Sequence, residues 1–377
     1  MLSRGPFGRL GAIAALGALA SCVPESRPSA TTAQPSAPLP APIVSIPIPP
    51  PAPRVIRPAP DRLTVAIDRA VREFQGLAGV AVRAVDDGWT VEANGRRKLP
   101  QQSVSKLWVA LALLEMRDQG RVRLDDPVTV RRDDLTLFHQ PIAYLVARNG
   151  GYSTTVGDLL TRALTQSDNT ANDRLLTLVG GPEAVRDVIA NKRLGDIRFG
   201  PGERLLQAGT AGLEWRPEYS LGNAFSVARS RLDPAVRRAA LDAYVGDPPD
   251  GASPLAIADA LSRLARGDLL SESSTRIFVE TMGRTVTGRA RLRAALLPGW
   301  ELAHKTGTGQ DLGGRNAGFN DVGLLTAPDG RRYAVAVMIG DTTRPIRERQ
   351  MLIQAVARAV VEYGPGLPGP GTTAVAN

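Results

Sequence analysis

Three short groups of residues carry the chemistry of this chain. The first is Ser103-Val104-Ser105-Lys106, followed by the apolar run Leu107 to Leu114. That run is apolar all round, so it predicts a buried helix. Ser103 and Lys106 then share one face near its N-terminus. There the helix dipole favours a developing anion, and a buried Lys106 amine is placed to act as a base toward the Ser103 hydroxyl. The second group is Ser167-Asp168-Asn169, between two helix-like segments, the first spanning residues 156–164. The third is Lys305-Thr306-Gly307-Thr308, on a strand-like run. Taken singly, each has an ordinary structural reading: a helix start with a lysine, a helix cap, a turn at a strand end. Together, and in this order, they read as a nucleophilic serine with two lysines and a second hydroxyl. A Ser-His-Asp arrangement would have to use His139 or His304, the only histidines. His304 neighbours Lys305 on a strand, which sends the two side chains to opposite faces. Two histidines and a single cysteine also leave no metal set for a zinc hydrolase.

The elements that must position these groups follow from periodicity. Leu63, Ala66, Ile67, Ala70, Val71 and Phe74 form one stripe of an amphipathic helix. Two strand-like runs, 79–85 and 89–93, are joined by the turn Asp86-Asp87-Gly88. After a long region of helices and loops, strand-like runs return at 300–304, 322–325 and 333–339, and a closing helix is predicted over 344–363. The order predicts an α/β chain of the α+β sandwich type. A mostly antiparallel five-stranded sheet is flanked by N- and C-terminal helices and carries an inserted all-helical lobe. The chemistry falls at the boundary between sheet and lobe, a natural place for a pocket.

The three motifs together are those of class A β-lactamases and penicillin-binding proteins, and from about Leu63 to Tyr363 the sequence resembles a class A serine β-lactamase. The stretch from Ser253 to Gly307 adds Gly267-Asp268-Leu269-Leu270-Ser271, Thr287-Gly288, Leu292-Arg293 and Pro298-Gly299-Trp300. Asp173 and His304 look like the PER and CfxA-type branch. The resemblance implies a cofactor-free and metal-free serine hydrolase with a β-lactam as its small-molecule substrate. In it Ser103 is the acylated nucleophile, Lys106 its partner in proton transfer, and Ser167 the relay to the departing ring nitrogen. Asn169 would hold the side-chain amide of the substrate. Lys305 and Thr306 would bind the β-lactam carboxylate, with Gly307 and Thr308 completing the binding strand. The backbone N–H groups of Ser103 and Thr308 would form the oxyanion hole. Phe138 and His139 match the aromatic gatekeeper region, or are a loop aromatic packed for stability.

Deacylation needs a general base, which separates a β-lactamase from a D-Ala-D-Ala peptidase or from a non-turnover penicillin sensor. The family places a glutamate in a loop after the serine–aspartate–asparagine motif. Here that residue reads as Glu203 in Glu203-Arg204-Leu205-Leu206-Gln207, 36 residues after Ser167, with Gln207 where asparagine is usual. Glu218 is the rival. Between Gln207 and Ser253 the chain is longer than the family pattern and helix-like from Ala224 to Tyr244, so it could reshape or cover the pocket rim.

The N-terminus predicts export. Arg4 and Arg9 precede an apolar run from Leu10 to Ala20, too short to span a bilayer but right for a signal-peptide core. Leu19-Ala20-Ser21-Cys22 resembles a bacterial lipobox, which implies a signal peptide over 1–21 and a lipidated Cys22 tied to a membrane. An ordinary cleaved signal is the alternative. Residues 22–60 read as a Pro-rich tether, with 13 prolines from Val23 to Pro60 and a reach near ~100 Å at about 3.1 Å per residue. The catalytic domain spans 61–364, and 365–377 reads as a disordered tail. Net charge is +9, and loss of Arg4 and Arg9 with the leader lowers it to +7. Only four lysines occur and the arginines are scattered, so no basic stripe marks a nucleic-acid partner. The expected product is a periplasmic, lipid-anchored monomer.

Overall fold

The structure is a computed structural model, and residues 57–364 are described. The leader, Cys22, most of the tether and the tail lie outside the described residues. The central sheet is five-stranded and antiparallel. Its strands are β1 (Leu77–Ala84), β2 (Thr90–Ala93), β3 (Glu301–Thr308), β4 (Phe319–Thr326) and β5 (Arg332–Asp341). They lie in the order β2-β1-β5-β4-β3, so the two ends of the chain meet where β1 pairs with β5. Register pairs Val80 with Val337, and Val322 with Lys305.

Alternation along the strands separates two cores. Val80, Val82, Val335, Val337 and Ile339 pack with Leu63 and Ile67 of α1 (Asp61–Glu73), and with Leu352, Ile353, Val356 and Val360 of α12 (Ile346–Tyr363). Ala81, Ala334, Ala336, Met338 and Val322 face the other way, into the helical lobe. The centre of that lobe is α2 (Lys106–Asp118), whose residues 106–114 are all buried, as an apolar run without a polar face requires. Around it stand α3 (Ile142–Asn149), α4 (Val156–Thr161), α5 (Asn169–Leu178), α6 (Gly181–Asn191) and α7 (Glu203–Thr210), followed by α8 (Ala224–Arg231), α9 (Pro234–Gly246), α10 (Pro254–Ala265) and α11 (Glu272–Gly283). Each fully buried Val or Leu on these faces stabilises by about 1.5–3 kcal/mol.

The elements depart from the sequence pattern in instructive ways. Lys305, Thr306, Gly307 and Thr308 lie on β3 as the strand-like run predicts, but β4 starts at Phe319, ahead of the expected 322, and its residues 319–322 pair with those four. The helix expected over 156–164 stops at Thr161 and continues as a wider π-type turn, Arg162–Gln166. Thr161 and Thr165 donate their hydroxyls back to Gly157 O (2.9 Å) and Thr161 O (2.7 Å), the competition that loosens a helical ladder. The extra segment folds as α8 and α9.

Candidate active site

The segment carrying Ser103 is a 3-10 turn, Gln102–Ser105, that runs directly into α2. It is held from three directions. Asn320 of β4 donates from Nδ2 to the carbonyls of Pro100 (2.8 Å) and Gln101 (3.0 Å). Trp108 Nε1 donates to Gln101 Oε1 (2.6 Å). Gln102 adopts the left-handed region (φ 54°), which costs a non-glycine residue about 1–2 kcal/mol. Its compensation comes from the far end of the extra segment. The Gln102 N–H donates to Asp250 Oδ2 (2.7 Å), and its side-chain Nε2 donates to the Tyr244 hydroxyl (2.7 Å) and to Ala317 O (3.0 Å). Tyr244 in turn donates to the Asp250 carboxylate (3.0 Å to Oδ1). Burial pushes the Asp250 carboxyl up to about 6, against the hydrogen bonds that favour its charge. Burial and then the Asp250 charge push the Tyr244 phenol well up, which keeps it a donor. Gly307 is required here by close approach, because a β-carbon on it would collide with the Gln101 carbonyl.

The residues singled out in the sequence converge at the boundary of sheet and lobe. Lys106, fully buried, donates from Nζ to Ser103 Oγ (2.7 Å), to Asn169 Oδ1 (2.9 Å) and to the Glu203 carboxylate at Oε1. Glu203 is buried at the start of α7, where Gln207 one turn on donates to its Oε2 (3.2 Å). The preceding Gly202 offers no side-chain cap, and Asp173 of α5 fills that role. Its carboxylate accepts from the N–H groups of Glu203 (3.1 Å) and Arg204 (3.3 Å). Burial, then the neighbouring Glu203 charge, raises the Asp173 carboxyl to about 6. Glu218 is exposed on a 3-10 turn, Pro217–Ser220, whereas Glu203 is the carboxylate on Lys106.

Ser167 closes the wide turn in the left-handed conformation (φ 62°), and its Oγ accepts from Lys305 Nζ (2.8 Å). Asp168 caps α5 through the Ala171 N–H (2.9 Å) and also takes the Ile142 N–H (2.7 Å), so the middle residue of that motif is structural. Lys305 is fully buried, and its other partner is the Thr306 carbonyl (2.9 Å). Burial, then the like charge of Lys106, depresses its ammonium well below the usual lysine range. Both of its hydrogen-bond acceptors are neutral. Thr306 shares a hydrogen bond with Thr287 (2.7 Å). Arg291 donates to Gly307 O (2.9 Å) and Thr308 Oγ1 (2.5 Å), and lies 3.7 Å over the Phe319 ring. Burial lowers its guanidinium to about 10, with Asp321 opposing.

Ser103, Ser167, Asn169, Thr306 and Thr308, among others, line a cleft of about 510 Å³, with Lys106, Glu203 and Lys305 buried behind them. Phe138 and His139 also line it. Phe138 packs edge-on against Phe225 of α8 (5.2 Å), and His139 bonds the Gln166 carbonyl (2.8 Å). His304 turns away from Lys305 and pairs with buried Asp321 (2.7 Å). Sequence reasoning passed over Gln102, Tyr244, Asp250, Arg291 and Arg229. Asp250 reads as a turn residue in Asp247-Pro248-Pro249-Asp250-Gly251, and the arginines are two among many, so no local signal singles them out.

A five-stranded antiparallel sheet with an inserted helical lobe and a serine–lysine cleft between them is the serine β-lactamase and penicillin-binding-protein fold. Solved structures bear this out: a β-lactamase from Chitinophaga pinensis has a TM-score of 0.66 at 26% identity, covering 80% of this chain and 99% of that one. An ancestral class A β-lactamase gives 0.61 at 29% identity, over 80% and 99%. The model of the β-lactamase enzyme family matches residues 62–364, and the chain belongs to that family. Extended-spectrum β-lactamase PER-1 of Pseudomonas aeruginosa is 30% identical over 76% of this chain and 82% of its own length. β-Lactamase Toho-1 of Escherichia coli is 28% identical over 77% and 84%.

Proposed function

We propose that the protein hydrolyses the cyclic amide of β-lactams as a class A-type enzyme through an acyl-enzyme on Ser103. The observation that carries the reading is Lys106 Nζ, buried and hydrogen-bonded to both Ser103 Oγ and the Glu203 carboxylate. Ser103 attacks the ring carbonyl, and its proton passes to the Lys106–Glu203 pair. The backbone N–H groups of Ser103 and Thr308 take the developing oxyanion. Ser167, hydrogen-bonded to Lys305, gives its hydroxyl proton to the ring nitrogen as the C–N bond breaks and recovers one from the Lys106–Glu203 pair, which leaves Glu203 a carboxylate again. Lys305 and Thr306 hold the substrate carboxylate, Asn169 holds its side-chain amide, and Glu203 then activates water against the ester. A carboxylate entering beside Lys305 and Arg291 would meet two buried basic groups whose hydrogen-bond acceptors are all neutral, and would favour the charged form of each. Steady-state hydrolysis of nitrocefin and benzylpenicillin, wild type beside Ser103→Ala, tests this. Turnover that survives in Ser103→Ala would sink it.

We infer further that the chain is exported with residues 1–21 as signal peptide. The catalytic domain, 61–364, is held to a bacterial membrane by a lipid on Cys22 through the tether ending at residue 60, and acts as a periplasmic monomer. The motif Leu19-Ala20-Ser21-Cys22 supports this reading. Among the described residues no helix is long and apolar enough to cross a membrane. Cell fractionation of wild type and Cys22→Ala is the test. Wild-type protein in the soluble periplasmic fraction would count against the anchor.

A further inference from the structure

The extra segment does more than brace Gln102, because it also delivers a cation to the cleft. Phe225 is buried in α8, edge-on to Tyr219 (5.7 Å) and to Phe138 (5.2 Å), and these contacts fix the rotation of the helix. Arg229, one turn later on the same face, lays its guanidinium over the Phe225 ring (5.6 Å) and lines the cleft together with Ser103, Asn169 and Gln207. Its Nη1 donates to Gln310 Oε1 (3.2 Å), and Gln310 is itself fastened by Nε2 to the Gln207 carbonyl (2.8 Å). The guanidinium is thus positioned by two neutral groups. No ion pair to a carboxylate is found for it among the described residues, and the one acid lining the cleft, Asp311, pairs with Arg349 (3.6 Å). Partial burial and the like charge of Arg237 both act against its own charge.

Its place along the cleft says what would relieve it. Arg291 and Lys305 stand at Thr306 to Thr308, where the ring carboxylate binds in the reading above. Arg229 stands further along, at Gln310 and the Gln207 wall of α7, in the same cleft as Asn169, which in the reading above holds the acylamino side chain. We propose that Arg229 is a specificity residue that binds an anionic group carried on the side chain of the β-lactam, so that the enzyme favours substrates bearing a second carboxylate. This rests on the β-lactamase reading of the site. The bond gained is a charge-assisted one, and Arg suits it because its fork presents two N–H donors to a carboxylate.

The test uses two penicillins that differ by one carboxylate, carbenicillin and benzylpenicillin, with wild type, Arg229→Gln and Arg229→Lys. The readout is the ratio of their kcat/KM values, in which any general loss from the substitution cancels. The ratio of carbenicillin to benzylpenicillin is expected to fall about tenfold in Arg229→Gln, the share of a hydrogen bond to a charged group. It should be largely kept in Arg229→Lys, with a smaller difference at high salt. A ratio within twofold of wild type in Arg229→Gln would overturn the assignment. Failure of the wild type to turn over either penicillin would instead overturn the reading of the whole site, and this assignment with it.

Discussion

Replacing Tyr244 with Phe tests whether a residue 141 positions from Ser103 holds the nucleophile in place. The hydroxyl receives Gln102 Nε2 at 2.7 Å and gives its proton to Asp250 at 3.0 Å, all in a buried setting. A hydrogen bond to an ionised carboxylate contributes about 1.5–3 kcal/mol and a neutral one about 1 kcal/mol. Gln102 keeps its Ala317 carbonyl and Asp250 keeps the Gln102 N–H, so neither group is orphaned. The expected loss is therefore about 3 kcal/mol, or about 5 °C in Tm for a domain of this size. The effect should reach the chemistry as well. Gln102 is held in the left-handed region immediately before Ser103, and without its tether that conformation loses its compensation. Acylation by nitrocefin in a stopped-flow instrument is expected to slow several-fold. The Asp250 carboxyl, already raised to about 6, should rise further once a favourable hydrogen bond is gone. A Tm within 1 °C of wild type together with an unchanged acylation rate would refute the reasoning, since Gln102 would then hold its backbone without Tyr244.

Two further outcomes follow from single residues. Asp173 has a folded pKa of about 6 against an ordinary 3.8, so the folded state binds its proton more tightly than the unfolded chain. Its contribution to stability is thus fullest below about pH 4 and is lost as pH rises through 6, by up to about 3 kcal/mol. Asp173→Asn should remove that share and leave the share from Asp250, which denaturant unfolding at pH 4.5 and 7.5 would show as a shallower but surviving difference. Gly288 has φ 70°, and a β-carbon there would lie 2.5 Å from Thr306 Cγ2. Gly288→Ala is expected to cost about 1–2 kcal/mol from backbone strain and to raise KM for benzylpenicillin by displacing Thr306.

Much of the architecture was legible because periodicity reports burial. The stripe from Leu63 to Phe74 is a helix, and the all-apolar run after Lys106 is a buried one. The motif serines and lysines were legible because their types and order are unusual in combination. Strand ends were less so: β4 begins at Phe319 rather than 322, because residues 319–321 extend only by pairing with Thr306 to Thr308, a partner that local sequence does not reveal. The wide turn before Ser167 arises from two threonine hydroxyls competing for carbonyls, which reads in sequence as ordinary helix. Glu203 over Glu218 was a matter of spacing, and the structure puts the former on Lys106 and the latter in solvent. Hardest to see were Tyr244, Asp250 and Arg229. Their partners Gln102 and Gln310 are distant in sequence, and nothing in the composition of the extra segment announces that its helices brace Gln102 and bring a guanidinium to the cleft.

In the proposed reaction Glu203 is the base that clears the acyl-enzyme, and intact mass spectrometry reads this directly. After mixing with benzylpenicillin, Glu203→Gln is expected to accumulate a covalent adduct on Ser103 that persists for minutes, while wild type returns to its unmodified mass as the substrate is consumed. Full turnover by Glu203→Gln, or a lasting adduct on the wild type, would contradict it.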